Sequence, residues 1–352
     1  MKKILFLLVL FFSFGKMGWT QDSCALRITL LTCSPGSELY STFGHTAIRV
    51  TDATAGIDEV YNYGTFEFSE DFYYKFVKGR LLYALSVEDF QGFVLQYQAE
   101  SRSIVEQELL LNCLQKEQLY AALRTNAEPE NRFYRYDFLF DNCTTRTRDV
   151  IAKNSGGTVV YPILFTGEQP SFRNLIHGYL NKANQDWSKL GIDLLLGAKL
   201  DRETTNLETT FLPDNLMKAF DSATVRGGPL VGEERPLLVM PSVATESYLI
   251  TPFVLFTLLL AVFAILSFMK KEGATRTLAV LDFILFFTLG ATGVLLLFMW
   301  FGTDHALCAN NYNLLWALPT HLVAAFLLFA KKAWVQPYFR VVFFVEMALL
   351  LL

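Results

Sequence analysis

The thiol of Cys143 and the imidazole of His45 are suited, if they meet, to nucleophilic acyl chemistry. A thiolate attacks a carbonyl while a neighbouring neutral histidine shuttles the proton. Cys143 follows an aromatic approach, 133–140, and opens a predicted helix of about a dozen residues running through Lys153. Asp141 is the expected N-cap, accepting from amides near Cys143 and Thr144. Cys143 then lies in the first turn, where unpaired amides and the helix dipole favour a thiolate. Its own backbone amide is the expected oxyanion donor. Cys24, Cys33 and Cys113 stand in strand-like or apolar contexts without this setting. Only two histidines, His45 and His177, precede the C-terminal apolar block, and His177 falls within a predicted helix, 172–180. Spacing alone does not bring His45 to Cys143, and a buried structural thiol is the competing reading.

The elements that would position these residues are partly legible. Residues 24–32 alternate as a strand and stop at the turn Ser34-Pro35-Gly36. Residues 43–50 form a second predicted strand and 59–63 a third, after a turn near Gly56. His45 therefore begins a hairpin strand. Asn62, on the neighbouring strand, is the candidate third member of the site, with Tyr61 and Tyr63 pointing the other way. A turn-flanking polar residue is the alternative reading of Asn62. Helices are predicted over 69–79, part of 87–100, and 115–125. In the less regular stretch 154–240, segments 187–200 and 213–220 are amphipathic. Facing a bilayer they would guide acyl chains toward Cys143; otherwise they complete the core.

Charge and hydropathy are unevenly divided along the 352 residues. Met1-Lys2-Lys3 and the apolar run 4–15 form a signal-peptide pattern, with a loose cleavage site near Gln21 and an expected leader of 1–20. A folded domain is predicted over 21–246 and a membrane block over 247–352. That block holds four apolar runs, 248–269, 277–301, 312–330 and 334–352. Lys270, Lys271, Arg276, Lys331 and Lys332 share one side, which the positive-inside rule makes cytoplasmic. The domain before the block then faces outward, as the leader also requires. The final apolar run carries no polar tail, so the last span is expected to be truncated here. The outward loop 302–313 is polar, with His305, Asn310, Asn311 and Asn313. His321 lies deeper, where an ionisable residue is either functional or hydrogen-bonded between helices. A net charge of −4 gives no electrostatic case for nucleic acid. Five cysteines form neither a disulfide framework nor a CxxC metal site, and no metal or cofactor is expected.

A histidine in a hairpin followed by Asn-Cys opening a helix resembles the circularly permuted papain-like (NlpC-type) superfamily, which includes the lecithin–retinol acyltransferases. Three motifs are similar to the Lnb family: Ser41-Thr42-Phe43-Gly44-His45-Thr46-Ala47, Tyr61-Asn62-Tyr63-Gly64-Thr65-Phe66 and Asp141-Asn142-Cys143-Thr144-Thr145. Residues 311–319 resemble that family's membrane domain. Lnb proteins are lipoprotein N-acyltransferases of Bacteroidota, with a periplasmic domain followed by a transmembrane domain. The resemblance implies an α+β papain-like domain followed by a transmembrane helix bundle, held in the bacterial inner membrane with the catalytic domain in the periplasm. It implies transfer of an acyl chain from a phospholipid donor to the N-terminal amine of a lipoprotein acceptor through a thioester. Cys143 matches the nucleophile and His45 the base, with Asn62 as third member. Ser41, Asn142, His305 and Asn313 are candidate substrate contacts. A cell-wall peptidase or amidase of the same superfamily, or a non-catalytic membrane scaffold, are the competing functions.

Overall fold

A computed structural model describes residues 24–241, 248–329 and 332–351. The expected leader, 1–20, and the expected junction at 246 and 247 lie outside the described residues. The chain opens with β1 (Leu26–Cys33), β2 (His45–Asp52), β3 (Ile57–Thr65), α1 (Phe72–Lys78), β4 (Leu82–Asp89) and α2 (Phe90–Ala99). It continues through β5 (Ile104–Leu109), α3 (Cys113–Ala127), β6 (Phe133–Arg135) and α4 (Cys143–Asn154). Then follow β7 (Val159–Val160), α5 (Phe172–Lys182), α6 (Asp186–Leu195), α7 (Pro213–Asp221), β8 (Thr224–Val225), β9 (Gly228–Pro229) and β10 (Val231–Leu238). Seven strands form one sheet in the order β10-β5-β1-β2-β3-β4-β6, with every neighbouring pair antiparallel. The protein is therefore a mixed fold of antiparallel sheet and helices.

Strand β1 is central and buried on both faces, so its apolar residues run on where a half-exposed strand would alternate. Ile28, Leu30, Ile48, Tyr61 and Tyr63 face one core, which Leu119, Leu123, Ile151, Leu216 and Phe220 close from the helical side. Leu31, Ala47, Val60 and Ile104 face the other, closed by Phe93 and Tyr97 of α2. The period of two thus assigns each strand residue to a layer. The helix expected within 87–100 begins only at Phe90, because Val87 and Glu88 still pair with β3. Asp89 ends the strand and caps α2, accepting from the Gly92 amide at 2.8 Å. Of the two amphipathic segments, α7 buries Leu216, Ala219 and Phe220 in the core, whereas α6 has no fully buried residue.

Beyond the sheet domain lie α8 (Pro252–Phe268), α9 (Glu272–Phe301), α10 (Thr320–Leu328) and α11 (Val335–Leu349). Among the described residues α9 alone is long and apolar enough to cross a membrane, α8 being a shorter apolar helix. The run expected to be a third continuous span is instead a 3-10 turn, Tyr312–Leu315, followed by the nine residues of α10. Pro319, which has no N–H to donate, stands at that break. Gly290 and Gly293 let α9 approach this segment closely, since a methyl at either would overlap backbone of Leu322 or Ala317. His321 is buried, with Tyr338 Oη and His321 Nδ1 2.8 Å apart and its Nε2 3.2 Å from the Trp316 carbonyl. It is a hydrogen-bonded bridge between helices.

The outward loop packs on the sheet domain. The amides of Gly197 and Ala198 donate to the carbonyls of Leu307 and Asn310 at 2.8 and 3.1 Å. Lys78 Nζ donates to the Gly302 carbonyl at 2.8 Å, and Arg80 pairs with Asp304 at 2.9 Å.

Candidate active site

Cys143 is the first residue of α4, and the helix start that holds it differs from the expected one. Asn142, not Asp141, is the N-cap: its Oδ1 accepts from the amides of Thr144 and Thr145 at 2.8 and 2.9 Å. The Thr145 hydroxyl accepts from the Asn142 amide at 2.8 Å, completing a reciprocal capping box. Asn142 Nδ2 donates to the carbonyls of Phe138 and Phe211 at 2.8 and 3.0 Å, locking the cap to the loop before it and to the helical layer. Asp141 instead exchanges backbone bonds with Asp137 and holds Arg146 through two side-chain bonds of 2.5 and 2.8 Å. The cap engages the amides of Thr144 and Thr145, leaving that of Cys143 outside its hydrogen bonds.

His45 opens β2 directly after Gly44, whose φ of 80° suits a residue without a side chain. Its Nε2 lies 3.1 Å from Asn62 Oδ1, and His45 and Cys143 are near enough for each to act on the other's ionisation. Asn62 in turn donates through Nδ2 to the carboxylate of Glu88. Val60, Asn62 and Glu88 share one face because Val60 pairs with Glu88 and Asn62 with Ser86 in antiparallel register. The result is a row Cys143–His45–Asn62–Glu88. One further contact binds β2 to α4: the Thr46 and Thr144 hydroxyls are 3.1 Å apart. Strand β3 bulges between Tyr63 and Thr65 around Gly64, at φ 91°, and a methyl there would lie 3.5 Å from Cys143 Cβ.

Electrostatics separate this thiol from its neighbours. Burial pushes the Cys143 thiol up. The charge and hydrogen bond of His45, the Thr46 amide and the Thr144 hydroxyl outweigh it and hold the thiol at about 7. Burial pulls the His45 imidazole down, but the Cys143 charge and the bonds to Cys143 and Asn62 leave it raised. Burial also raises the Glu88 carboxyl, against the lowering influence of His45. By contrast, burial drives the Cys33 thiol up to about 12, where it is a poor nucleophile.

Ser41, His45, Asn62, Asn142 and Cys143 all line one cavity of about 530 Å³, with much of its remaining wall aromatic, including Phe43, Phe66, Tyr83 and Tyr136. Ser41 donates its hydroxyl to the Glu38 carbonyl at 3.0 Å and stands at this wall. Asn142 touches the cavity while its amide is spent on backbone. His305 and Asn313 do not join them. His305 Nε2 sits 3.0 Å from the Phe76 carbonyl, and Asn313 Nδ2 donates to the Asp193 carbonyl at 2.8 Å. Their loop uses its polar groups to dock on α1 and α6. Glu88 escapes the sequence reading, and Gly64, Thr46 and Thr144, though within its motifs, are given no role there. Glu88 is hidden because part of 87–100 is expected to be helix and β4 is not read as a strand; its place beside Asn62 follows from the β3–β4 register.

The Lnb N-terminal periplasmic domain matches residues 18–173, and the Lnb transmembrane domain matches residues 244–352. No curated protein and no solved structure matches the chain.

Proposed function

The chain belongs to the Lnb family of membrane proteins with a periplasmic domain, and on that premise we propose that it is a lipoprotein N-acyltransferase of the inner membrane. The observation that carries the reading is the row Cys143–His45–Asn62–Glu88, with Asn62 buried and the other three half-buried, lining one cavity. In the first half-reaction the Cys143 proton passes to His45, and the thiolate attacks an ester carbonyl of a phospholipid. The Cys143 backbone amide, which the cap does not use, stabilises the oxyanion. Collapse expels the glycerol oxygen, which takes the proton back from His45 and leaves as a lysophospholipid. Cys143 then carries a thioester.

In the second half-reaction the N-terminal amine of a lipoprotein attacks the thioester carbonyl. His45 removes the amine proton, the C–S bond breaks, and that proton returns to the thiolate. Asn62 fixes the ring by its bond to Nε2, and Glu88 fixes the Asn62 amide by accepting from Nδ2. A histidine at the head of a sheet and a cysteine on a later helix support the permuted papain-like arrangement. The aromatic part of the cavity wall, beside polar residues such as Gln96, Glu100 and Arg102, supports an acyl chain as occupant.

The test is intact-mass spectrometry of detergent-purified protein incubated with phospholipid, wild type beside Cys143→Ala. An acyl mass on wild type, removed by hydroxylamine and missing from Cys143→Ala, supports the reading. A folded wild type that gains no acyl mass sinks it.

A further inference from the structure

A second cavity, of about 450 Å³, adjoins the first and none of the steps above uses it. Leu39, Phe43, Tyr83, Tyr136 and Phe138 belong to both walls. Within that shared wall Tyr83 stacks on Tyr136 at 4.4 Å and Phe43 meets Phe138 edge-on at 4.9 Å. The far side is built by Ile192 and Leu196, at the C-terminal end of α6 and just beyond it, and by Leu307 of the outward loop. That loop leaves α9 at Phe301, so the cavity lies where the sheet domain meets the outer end of the membrane-crossing helix.

The charged groups and the histidine around this cavity have partners of their own. Asp304 pairs with Arg80 at 2.9 Å and with Arg135 at 3.9 Å. Asp137 accepts from the amides of Leu139 and Phe140 at 2.9 and 3.1 Å, and His305 Nε2 is taken by the Phe76 carbonyl. What remains to contact an occupant is mainly aliphatic and aromatic surface, with the Tyr83 and Tyr136 hydroxyls at its shared wall. A cavity whose wall is mainly apolar holds water poorly and takes hydrocarbon. We infer that this second cavity is a hydrocarbon-tail site, holding the distal part of the donor's acyl chain while its carbonyl is at Cys143. The inference rests on the acyltransferase reading for the identity of the chain, but binding itself is testable without turnover. It also gives a use to α6, whose apolar face is left half-buried by the core.

The experiment uses the full chain with Cys143→Ala, in vesicles containing a phosphatidylethanolamine that carries a diazirine at the end of one acyl chain. After irradiation, peptides containing Ile192, Leu196 or Leu307 should carry the label. Leu196→Trp, which narrows the cavity, should cut that labelling by roughly tenfold, the factor expected from losing contact with about two methylenes. Ile192→Trp is a second narrowing variant, and thermal unfolding of both is compared with the parent. Label confined to 252–349 outside the outward loop, or labelling unchanged in both folded tryptophan variants, overturns the inference. Label in the cavity together with a wild type that never gains an acyl mass keeps the tail site and sinks the acyltransferase reading instead.

Discussion

In the row from Cys143 to Glu88, Asn62 Oδ1 lies 3.1 Å from His45 Nε2 and the Asn62 amide donates to Glu88. Because the His45 charge is a principal force lowering the Cys143 thiol, the two should be measured together. Thiolate forms as pH rises, so alkylation of Cys143 by iodoacetamide should accelerate through pH about 7 in the wild type. In His45→Ala the supporting charge and hydrogen bond are gone, and the same rise should shift to higher pH, toward the ordinary thiol range. An unshifted profile would break the pairing. Loss of the His45 proton shuttle should also cost about 10²–10⁴-fold in turnover. In the proposed mechanism Glu88 acts on the reaction through Asn62. Glu88→Gln keeps an oxygen that can accept from Asn62 Nδ2 and should retain more activity than Glu88→Ala, a ranking that turnover and KM measured together would check. Equal losses in kcat for both variants would mean that the carboxylate charge, not the orientation of Asn62, is what matters.

At the scale of the element, the start of α4 decides where the sulfur sits. Removing an N-cap side chain costs about 0.5–2 kcal/mol, and Asn142 also satisfies two carbonyls from outside the helix. Asn142→Ala should therefore fall near the upper end of that range in chemical denaturation of the solubilised protein. Asn142→Asp keeps the acceptor for the Thr144 and Thr145 amides while losing the two donors, so it should be intermediate. A loss below about 0.5 kcal/mol for Asn142→Ala would mean that the cap is not what holds the turn. Strand β3 contributes in the same local way: its bulge at Gly64 brings backbone without a side chain against Cys143.

At the scale of the molecule, the sheet domain is fastened to the membrane block by backbone as well as by side chains. Gly197 donates to Leu307 at 2.8 Å, and any side chain there would overlap the Ala309 carbonyl. Gly197→Leu should therefore loosen the docking, read as faster hydrogen exchange of the Ala198 amide and of the loop around 304–310, with β1 and β2 retaining their protection. Unchanged exchange in that loop would show that the docking tolerates the insertion. The Arg80–Asp304 pair is exposed and screened by solvent, so its removal should matter far less.

The candidate reactive groups could be named from the sequence because their signals are local and their motifs resemble a family's. A cysteine beside a capping residue at a helix start, a histidine heading a strand and an asparagine two strands from β1 are all signals contained in a few adjacent residues. The division into an exported domain and an apolar block was legible for a similar reason, since hydropathy and basic loops accumulate along the chain. Tertiary structure alone decided which residues meet. Asn142 took the cap from Asp141 because Asp141 was engaged by Asp137 and Arg146. Glu88 reached Asn62 only through the antiparallel register of β3 and β4. His305 and Asn313, polar and outward in the sequence, were drawn into docking contacts with α1 and α6 and away from the cavity of Cys143. Hydrogen bonds of that kind depend on distances across the fold, and a one-dimensional pattern carries no such distances.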